Sequence, residues 1–250
     1  MVYGFLYTPI IILVIYSFNS SRYNPMVWEG FSFHWYGELF NNRQLIQAAF
    51  NSFLVAATSA TLATVIGTLG AVSFFRFNFA GKGFFYALIY IVMMSPDIVM
   101  GISMLTLFLV IKMPQGFWTL LITHITFSLP FVVVTLSTRL SGFDKHLVEA
   151  AKDLGADEFR TFIHVILPML MPAVAAGWLL SFTISMDDAI GSFFVAGSSF
   201  QILPLQIYSM VRLGVKPEVN ALSTLMFVLS LVIVISAQFL LREKKQKRRS

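Results

Sequence analysis

Residues 141–172 read SGFDKHLVEAAKDLGADEFRTFIHVILPMLMP, and this charged stretch separates two long apolar runs of the chain. Four basic and five acidic residues lie between Arg139 and Arg160. Asp144 is placed to cap a first helix, and Gly155 suits the left-handed residue that ends one. Between them, four apolar residues recur at the spacing of one helical face, which predicts a short amphipathic helix: Leu147, Ala150, Ala151 and Leu154.

A second helix is expected after the turn at Gly155. Asp157 can cap its first turn, and Pro168 and Pro172 are expected to end it at the membrane surface. The pattern therefore predicts helix, tight turn, helix. Its apolar face is too small for a domain core, so it fits either a groove on another protein or a surface-lying amphipathic loop. Periodicity alone does not separate these two interpretations.

The rest of the chain has the composition of a membrane protein. Of its 250 residues 57% are hydrophobic and 12% are charged, whereas a soluble domain carries about 25% charged residues. This composition excludes a water-soluble enzyme with a charged surface. Six apolar runs are long enough to cross about 30 Å of hydrocarbon as helices: residues 2–18, 48–75, 84–111, 117–136, 169–195 and 219–241. We therefore predict an all-α, polytopic protein with six transmembrane helices, in a single membrane domain covering residues 1–250.

The second apolar run carries small residues four positions apart. They form two rows along a helix, and small side chains let helix backbones approach each other in lipid: Ala56, Ala60, Thr64 and Thr68 in one row, and Ala63, Gly67 and Ala71 in the other. This run is therefore expected inside a helix bundle.

Basic residues indicate the orientation of the chain. The net charge of +5 equals that of the tail, residues 242–250, which holds six basic residues and Glu243. A cytoplasmic tail and six spans place both termini and the 139–168 loop on the cytoplasmic side, with twelve Lys and Arg inside and five outside. No basic stripe lies elsewhere, so nucleic acid is not an expected partner. The absence of cysteine excludes disulfides and thiolate metal sites.

Three acidic residues lie within the apolar runs: Asp97, Asp187 and Asp188. Each costs about 2.5–3.5 kcal/mol at the middle of a membrane, so each should find a cation, a proton or hydrogen-bond donors. Pro96 and Gly191 can break the helices beside these acids, and a broken helix beside a carboxylate suits a cation site. Structural hydrogen bonds to Ser95 or Ser185, or a salt bridge to another chain, remain the alternative.

Aromatic residues and one histidine accompany the acids. Trp178 and Phe182 precede Asp187 on the same run and are candidate walls for a cationic substrate, although ordinary core packing is the simpler explanation for each. His124, in the fourth run, is expected to be an ordinary hydrogen-bonded side chain rather than a metal ligand. In the outer loop, three aromatic residues form either an interfacial or packed cluster or a docking surface for an external partner: Trp28, Trp35 and Tyr36.

The 139–168 loop carries a resemblance to a known family. Glu149, Ala150 and Ala151, then Gly155, then Val165, Leu167 and Pro168, resemble the EAA motif of ABC-importer permeases, with Val165 in place of the usual Ile. Further stretches resemble the C-type permease subunits of spermidine/putrescine importers, so that the similarity covers nearly the whole chain: residues 93–100 (MMSPDIVM), 123–134 (THITFSLPFVVV), 173–188 (AVAAGWLLSFTISMDD) and 203–222 (LPLQIYSMVRLGVKPEVNAL).

The resemblance implies the fold and the partners. It implies a type I ABC importer permease fold in a bacterial inner membrane. The implied partners are a second, homologous permease subunit, two cytoplasmic ATP-binding subunits and an extracytoplasmic polyamine-binding protein. The loop would contact the ATP-binding subunits through Glu149, Ala150, Ala151 and Gly155, flanked by Leu147 and Leu154. The chain has no GxxxxGK[ST] phosphate loop, so it is not expected to hydrolyse ATP or to hold a cofactor.

Other functions remain open at this stage. A sibling importer for another solute would share the loop, but an anionic solute would call for intramembrane Arg or Lys, and the six apolar runs contain neither. An ATP-independent cation carrier or channel would leave the loop without a role. A structural membrane scaffold would leave the buried acids without one.

Overall fold

The computed structural model describes residues 2–21, 27–144, 146–212 and 217–246. These residues are almost entirely helical, as predicted, and they contain one isolated β-bridge, between Asn19 and Phe31. A π-helical turn, Phe162–Ile166, joins α8 to α9. The α-helices, in chain order, are α1 (Val2–Tyr16), α2 (His34–Asn41), α3 (Arg43–Arg76), α4 (Lys82–Met94), α5 (Asp97–Val110), α6 (Phe117–Ser141), α7 (His146–Asp153), α8 (Glu158–Thr161), α9 (Leu167–Asp187), α10 (Ile190–Val195), α11 (Leu203–Arg212) and α12 (Pro217–Gln246).

Three helical segments are long and apolar enough to cross a membrane: Arg43–Arg76, Phe117–Ser141 and Glu158–Asp187. They contain the predicted runs 48–75 and 117–136 and most of the run 169–195. Helices α4 and α5 pass the same test only as a pair. Two shorter apolar helices, Gly4–Tyr16 and Glu218–Val232, lie in the first and last predicted runs. By length and composition the described residues thus hold three spans, or four if the pair counts as one. Residues 247–250 of the basic tail lie outside the described residues.

The predicted run 84–111 is bent by 112° between α4 and α5. Ser95 is extended, with φ −73° and ψ 136°. The ring of Pro96 disfavours the helical conformation at the residue before it, and Pro96 also lacks the N–H that would continue the helix. A new helix therefore begins at Asp97, which confirms the interruption predicted at Pro96.

The expectation that Pro168 and Pro172 end the second loop helix is wrong. The chain stays helical from Glu158 to Asp187, and both prolines lie inside this segment. The π-helical turn comes just before Pro168, and in it the N–H of Leu167 bonds to the carbonyl of Phe162, five residues back. A proline ring collides with the carbonyl four residues before it in a regular α-helix, and the wider π-helical turn relieves that collision.

The chain consists of two compact units, one formed by Met1–Phe53 with Gly197–Ser250 and the other by Leu54–Ala196. In the second unit, Val132 of α6 is fully buried. A Cβ atom added to Gly67 of α3 would lie 2.7 Å from Val132 Cγ1, and one added to Gly177 of α9 would lie 3.5 Å from it. Both rows of small residues predicted in α3 are buried at this packing. Close van der Waals contact of this kind holds helices together in lipid.

Helices α5 and α10 also pack closely within the second unit. A Cβ atom added to Gly101 would lie 2.7 Å from the ring of Phe194 and 3.2 Å from Gly191 Cα. One added to Gly191 would lie 2.6 Å from the ring of Phe127 on α6. Glycine is therefore required at both positions by the approach of neighbouring groups.

The first unit has its own small core, in which Trp35 and Leu39 of α2 pack with Leu45 and Ala48 of α3 and with residues of α11 and α12. The indole N–H of Trp35 donates to the carbonyl of Asn19 at 2.8 Å. The part of the outer loop that the structure describes is thus folded back on α2, which supports the packed-cluster interpretation for Trp35.

We predict that Gly101→Ala lowers the thermal stability of the purified protein, whereas Gly83→Ala does not. A Cβ atom at Gly101 meets Phe194 and Gly191, and overpacking of a close contact costs about 1–3 kcal/mol. A Cβ atom at Gly83 has nothing within 4 Å, so the same substitution brings only the higher helix propensity of alanine. Unfolding followed by tryptophan fluorescence in detergent measures both. Equal melting temperatures for the two variants would contradict the close packing of α5 on α10.

Candidate functional site

The helix–turn–helix predicted in the 139–168 loop is present. Asp144 Oδ1 accepts the N–H of His146 at 3.0 Å, and Asp157 Oδ1 accepts the N–H of Arg160 at 2.7 Å. Gly155 lies between the two helices with φ +83°, the left-handed conformation that glycine adopts at low cost. Both predicted caps and the predicted turn residue are therefore confirmed.

The predicted apolar face of α7 stays exposed on this chain. Leu154 is 90% exposed, and Leu147 and Ala150 are also exposed. Phe159, which the sequence analysis did not single out, adds a ring that is 71% exposed. The loop is anchored instead by Val148, which is buried in the core formed by α3, α6 and α9. The free apolar face is thus available to another protein while the loop itself is held in place.

Of the residues matching the EAA motif, Glu149 is exposed and its carboxylate lies 3.1 Å from His146 Nδ1. Ala151 is half-buried. Gly155 has nothing within 4 Å of an added Cβ atom. These residues and the exposed leucines lie close together in one short helix–turn–helix.

An ionic cluster connects the 139–168 loop to α3. Glu158 at the start of α8 pairs with Arg76 at the end of α3. The other carboxylate oxygen of Glu158 lies 2.8 Å from Lys152 Nζ on α7. The Arg76 side chain is 11% exposed but that of Glu158 is 55% exposed, so water reaches this contact as it does an ordinary surface pair. One carboxylate therefore connects α3, α7 and α8.

The second group of candidate residues lies at the break between α9 and α10. Asp188 has φ −70° and ψ 100°, which ends α9. Its Oδ1 accepts the N–H of Gly191 at 2.9 Å, and its Oδ2 accepts the N–H of Ser192 at 2.9 Å and the Ser192 hydroxyl at 3.0 Å. The carboxylate thus satisfies the free N–H groups at the start of α10, where the helix dipole also favours negative charge.

His124 is at the centre of a buried polar network around this break. Its side chain is 1% exposed, and Nε2 lies 2.9 Å from Ser192 Oγ and 3.3 Å from Asp188 Oδ2. Its Nδ1 lies 2.5 Å from Ser185 Oγ, which also accepts a hydrogen bond from Ser59 of α3 at 3.2 Å. Both ring nitrogens therefore have partners, as expected for a hydrogen-bonded histidine.

The other two acids have different surroundings. Asp187, the last residue of α9, and Asp97, the first residue of α5, are both exposed on this chain. Trp178 donates its indole N–H to Thr61 Oγ1 at 3.0 Å and stacks on Phe182, with ring centroids 5.3 Å apart. Phe182 itself is buried, so its ring supports that of Trp178 from behind.

The network that joins His124, Ser185 and Ser192 to Asp188 was not predicted from the sequence. One signal for it is present in the sequence: Ser185, Asp188 and Ser192 are spaced by three and four residues, the spacing of one helical face. Nothing in the sequence indicates that His124, more than 60 residues earlier, lies opposite them. Within the described residues, no group of three or more His, Asp or Glu side chains could hold a metal ion.

Comparison with known proteins places these features in a family. Residues 63–247 match the family model described as "Binding-protein-dependent transport system inner membrane component". The chain is 58% identical over 243 residues to the spermidine/putrescine transport system permease protein PotC of Escherichia coli (strain K12), a match covering 97% of this chain and 92% of that protein. It is 54% identical over 243 residues to PotC of Haemophilus influenzae, covering 97% and 94%. It is 40% identical over 253 residues to the putrescine transport system permease protein PotI of Escherichia coli (strain K12), covering 98% and 90%.

Solved structures share the fold. A bacterial ABC transporter involved in the import of the acidic polysaccharide alginate matches with a TM-score of 0.75 at 16% identity, over 96% of this chain and 90% of that chain. A second structure of a bacterial alginate transporter, in complex with an alginate-pentasaccharide-bound periplasmic protein, matches with a TM-score of 0.73 at 15% identity, covering 96% and 89%. The MetNI methionine transporter matches with a TM-score of 0.66 at 17% identity, covering 80% and 95%.

We predict that reversing either charge of the Arg76–Glu158 pair loosens the 139–168 loop, and that reversing both restores it. Arg76→Glu and Glu158→Arg each place like charges together, whereas the double variant recreates an ion pair. An exposed pair is worth about 0.2–1 kcal/mol, so cleavage of the loop in limited proteolysis should rise roughly two- to fivefold in each single variant.

Asp153→Asn is the control, because Asp153 is an exposed acid of the same loop outside this pair. Its cleavage rate should equal that of the unmodified chain. If the double variant is cleaved as fast as the two single variants, the pair does not hold the loop.

Proposed function

Because this chain belongs to the family of binding-protein-dependent transport system inner membrane components, we propose that it is a permease subunit of a bacterial, ATP-driven polyamine importer. The observation that carries this proposal is the 58% identity, over 97% of the chain, to a spermidine/putrescine transport permease. Three intramembrane acids agree with a cationic substrate, because an anionic one would call for basic groups along the path.

In this proposal the chain crosses the membrane six times. The broken pairs α4–α5 and α9–α10 each belong to one crossing, and α1 and α12 are the first and last. The apolar helices Gly4–Tyr16 and Glu218–Val232 support these two assignments. The basic tail and the charged 139–168 loop then lie on the cytoplasmic side, in agreement with the positive-inside rule.

The cation path is formed in part by Asp97 and Asp187. Both carboxylates are exposed on this chain, and each lies where a helix is interrupted. A polyamine carries ammonium groups on flexible methylene spacers, so separated carboxylates can replace the water around each ammonium group. Both oxygens of Asp188 accept hydrogen bonds within the chain, so this acid contributes to the path by holding the helix break rather than by binding an ammonium group directly.

Aromatic side chains complete the proposed path. Trp178 is half-buried and held by Thr61, so its ring can present a face to an ammonium group through a cation–π contact. Phe182 stacks behind it and fixes the orientation of the indole. In this arrangement Phe182 acts on the substrate only through Trp178.

The proposed partners follow from the exposed apolar face of the 139–168 loop. Leu147, Leu154 and Phe159 would dock in a groove of an ATP-binding subunit, with Glu149, Ala150, Ala151 and Gly155 beside them. A helix in a groove explains why such a short helix keeps its leucines exposed. The complete transporter would contain two ATP-binding subunits, a second homologous permease subunit and an external polyamine-binding protein. ATP hydrolysis then belongs to the partner subunits.

We predict that Asp97→Asn and Asp187→Asn each reduce polyamine uptake at least about tenfold while the transporter still assembles. Each substitution removes one negative charge from the path and preserves shape, and one lost charge interaction of about 1.4 kcal/mol accounts for a tenfold effect. Uptake of labelled spermidine into proteoliposomes measures the loss, and copurification of the ATP-binding subunits measures assembly.

Asp153→Asn is the matched control, since it makes the same chemical change at an exposed loop position. Its uptake should be unchanged. Full uptake by both path variants would remove the substrate role of these acids. Uptake by this chain without any ATP-binding subunit would instead indicate a carrier or channel.

We predict that Gly155→Val uncouples ATP hydrolysis from uptake. Gly155 has φ +83°, where a β-branched residue is strained by about 1–2 kcal/mol or more, so the turn that presents the loop must change. The ATPase activity of the complex should persist while the amount of polyamine imported per ATP falls severalfold.

Gly142→Val is the control in the same loop, because Gly142 has φ −96°, which valine adopts readily. Its uptake per ATP should match that of the unmodified transporter. Normal coupling in Gly155→Val would argue against a role of this turn in transmission.

A further inference from the structure

His124 contacts both sides of the break between α9 and α10 from a third helix. Ser185 lies on α9 before the break, and Ser192 lies on α10 after it. Nδ1 of the histidine reaches the first hydroxyl at 2.5 Å, and Nε2 reaches the second at 2.9 Å. A single rigid ring on α6 therefore fixes the two helix ends with respect to each other.

His124, Ser185 and Ser192 thus form a clamp across the break, and the directions of the hydrogen bonds agree with it. The Ser192 hydroxyl donates to Asp188 Oδ2 at 3.0 Å, so its oxygen is available to accept from His124 Nε2–H. The carboxylate in turn accepts the backbone N–H groups that open α10. Loss of the imidazole would remove one hydrogen bond from each of the two serine hydroxyls and with it the only described side chain that joins them.

The position set by the clamp extends to the second broken helix. Phe127 lies one turn after His124 on α6, and its ring packs against Gly191. Gly191 also lies close to Gly101: a Cβ atom added to Gly101 would lie 3.2 Å from Gly191 Cα. Gly101 is one turn after Asp97 on α5. A continuous set of close contacts thus connects His124 to the helices that carry both exposed acids.

We propose that His124 is a positioning residue that sets the spacing between Asp97 and Asp187, and that this spacing determines which length of polyamine the path accepts. The inference rests on the proposed function. A linear polyamine presents its ammonium groups at separations set by its methylene spacers, so two carboxylates at a fixed separation favour one chain length. Carboxylates that move independently accept several lengths with similar rates.

The test compares two polyamines of different length in the complete transporter. Proteoliposomes receive saturating external binding protein loaded with either spermidine or putrescine, so that the ratio of maximal uptake rates reports the permease step. His124→Ala should move this ratio toward one by about threefold or more, because a small displacement of positioned groups changes rates strongly. His124→Gln retains an N–H donor and a carbonyl acceptor and should stay within about twofold of the unmodified ratio.

Milder variants keep the test decisive if His124→Ala is inactive. Ser192→Ala and Ser185→Ala each remove one contact of the ring and should shift the ratio in the same direction. Ser128→Ala is the control, because Ser128 is a buried serine of α6 whose hydroxyl has no partner among the described residues. Its ratio should not change.

The outcomes separate the two proposals. Partial misfolding lowers both uptake rates equally. If His124→Ala lowers both rates and leaves their ratio unchanged, the positioning role is overturned. If His124→Ala is inactive, an unchanged ratio in both Ser185→Ala and Ser192→Ala overturns it. If the unmodified transporter imports neither polyamine, the proposed function fails. A normal ratio in His124→Gln together with a shifted ratio in His124→Ala supports the clamp.

Discussion

The hydrogen bonds accepted by Asp188 are the constraint on which the unit Leu54–Ala196 depends. A carboxylate inside an apolar bundle is costly unless donors surround it, and here the donors are two backbone N–H groups and a serine hydroxyl, with His124 Nε2 3.3 Å from the same carboxylate. The backbone donors exist only because α9 stops and a new helix starts, since an uninterrupted helix would use them itself. The break and the buried charge therefore require each other.

The same logic relates the two broken helices to the proposed cation path. At the first break Pro96 ends α4, and the new helix α5 begins with Asp97. At the second break Asp188 caps the new helix α10. Asp188 is occupied by the backbone N–H groups of Gly191 and Ser192, whereas the neighbouring Asp187 is exposed. Close glycine contacts between α5 and α10 bring the two breaks into one packed structure. The acidic side chains within the apolar bundle thus lie at the helix breaks, where the irregular backbone can supply hydrogen-bond partners.

Much of the 139–168 loop could be predicted because its determinants are local. A cap at Asp144, a glycine at residue 155 and a cap at Asp157 act within a few residues, and all three are present as expected. The prediction that Pro168 and Pro172 end the second loop helix was wrong because a π-helical turn accommodates Pro168. Such a turn has no clear sequence signature. The contact of Glu158 with Arg76 could not be predicted, since the two residues lie far apart in the chain.

The sequence by itself determined that the chain is helical and apolar, that its helices break beside Asp97 and Asp188, and that a capped projection lies between the fourth and fifth apolar runs. These features follow from hydrophobicity, proline geometry and helix capping, which operate over one or two turns. Only the tertiary structure decided which acid is bound by its own backbone and which remain exposed, and that His124 joins the two sides of a break. Those outcomes depend on helix packing, because the groups that meet there come from α3, α6, α9 and α10.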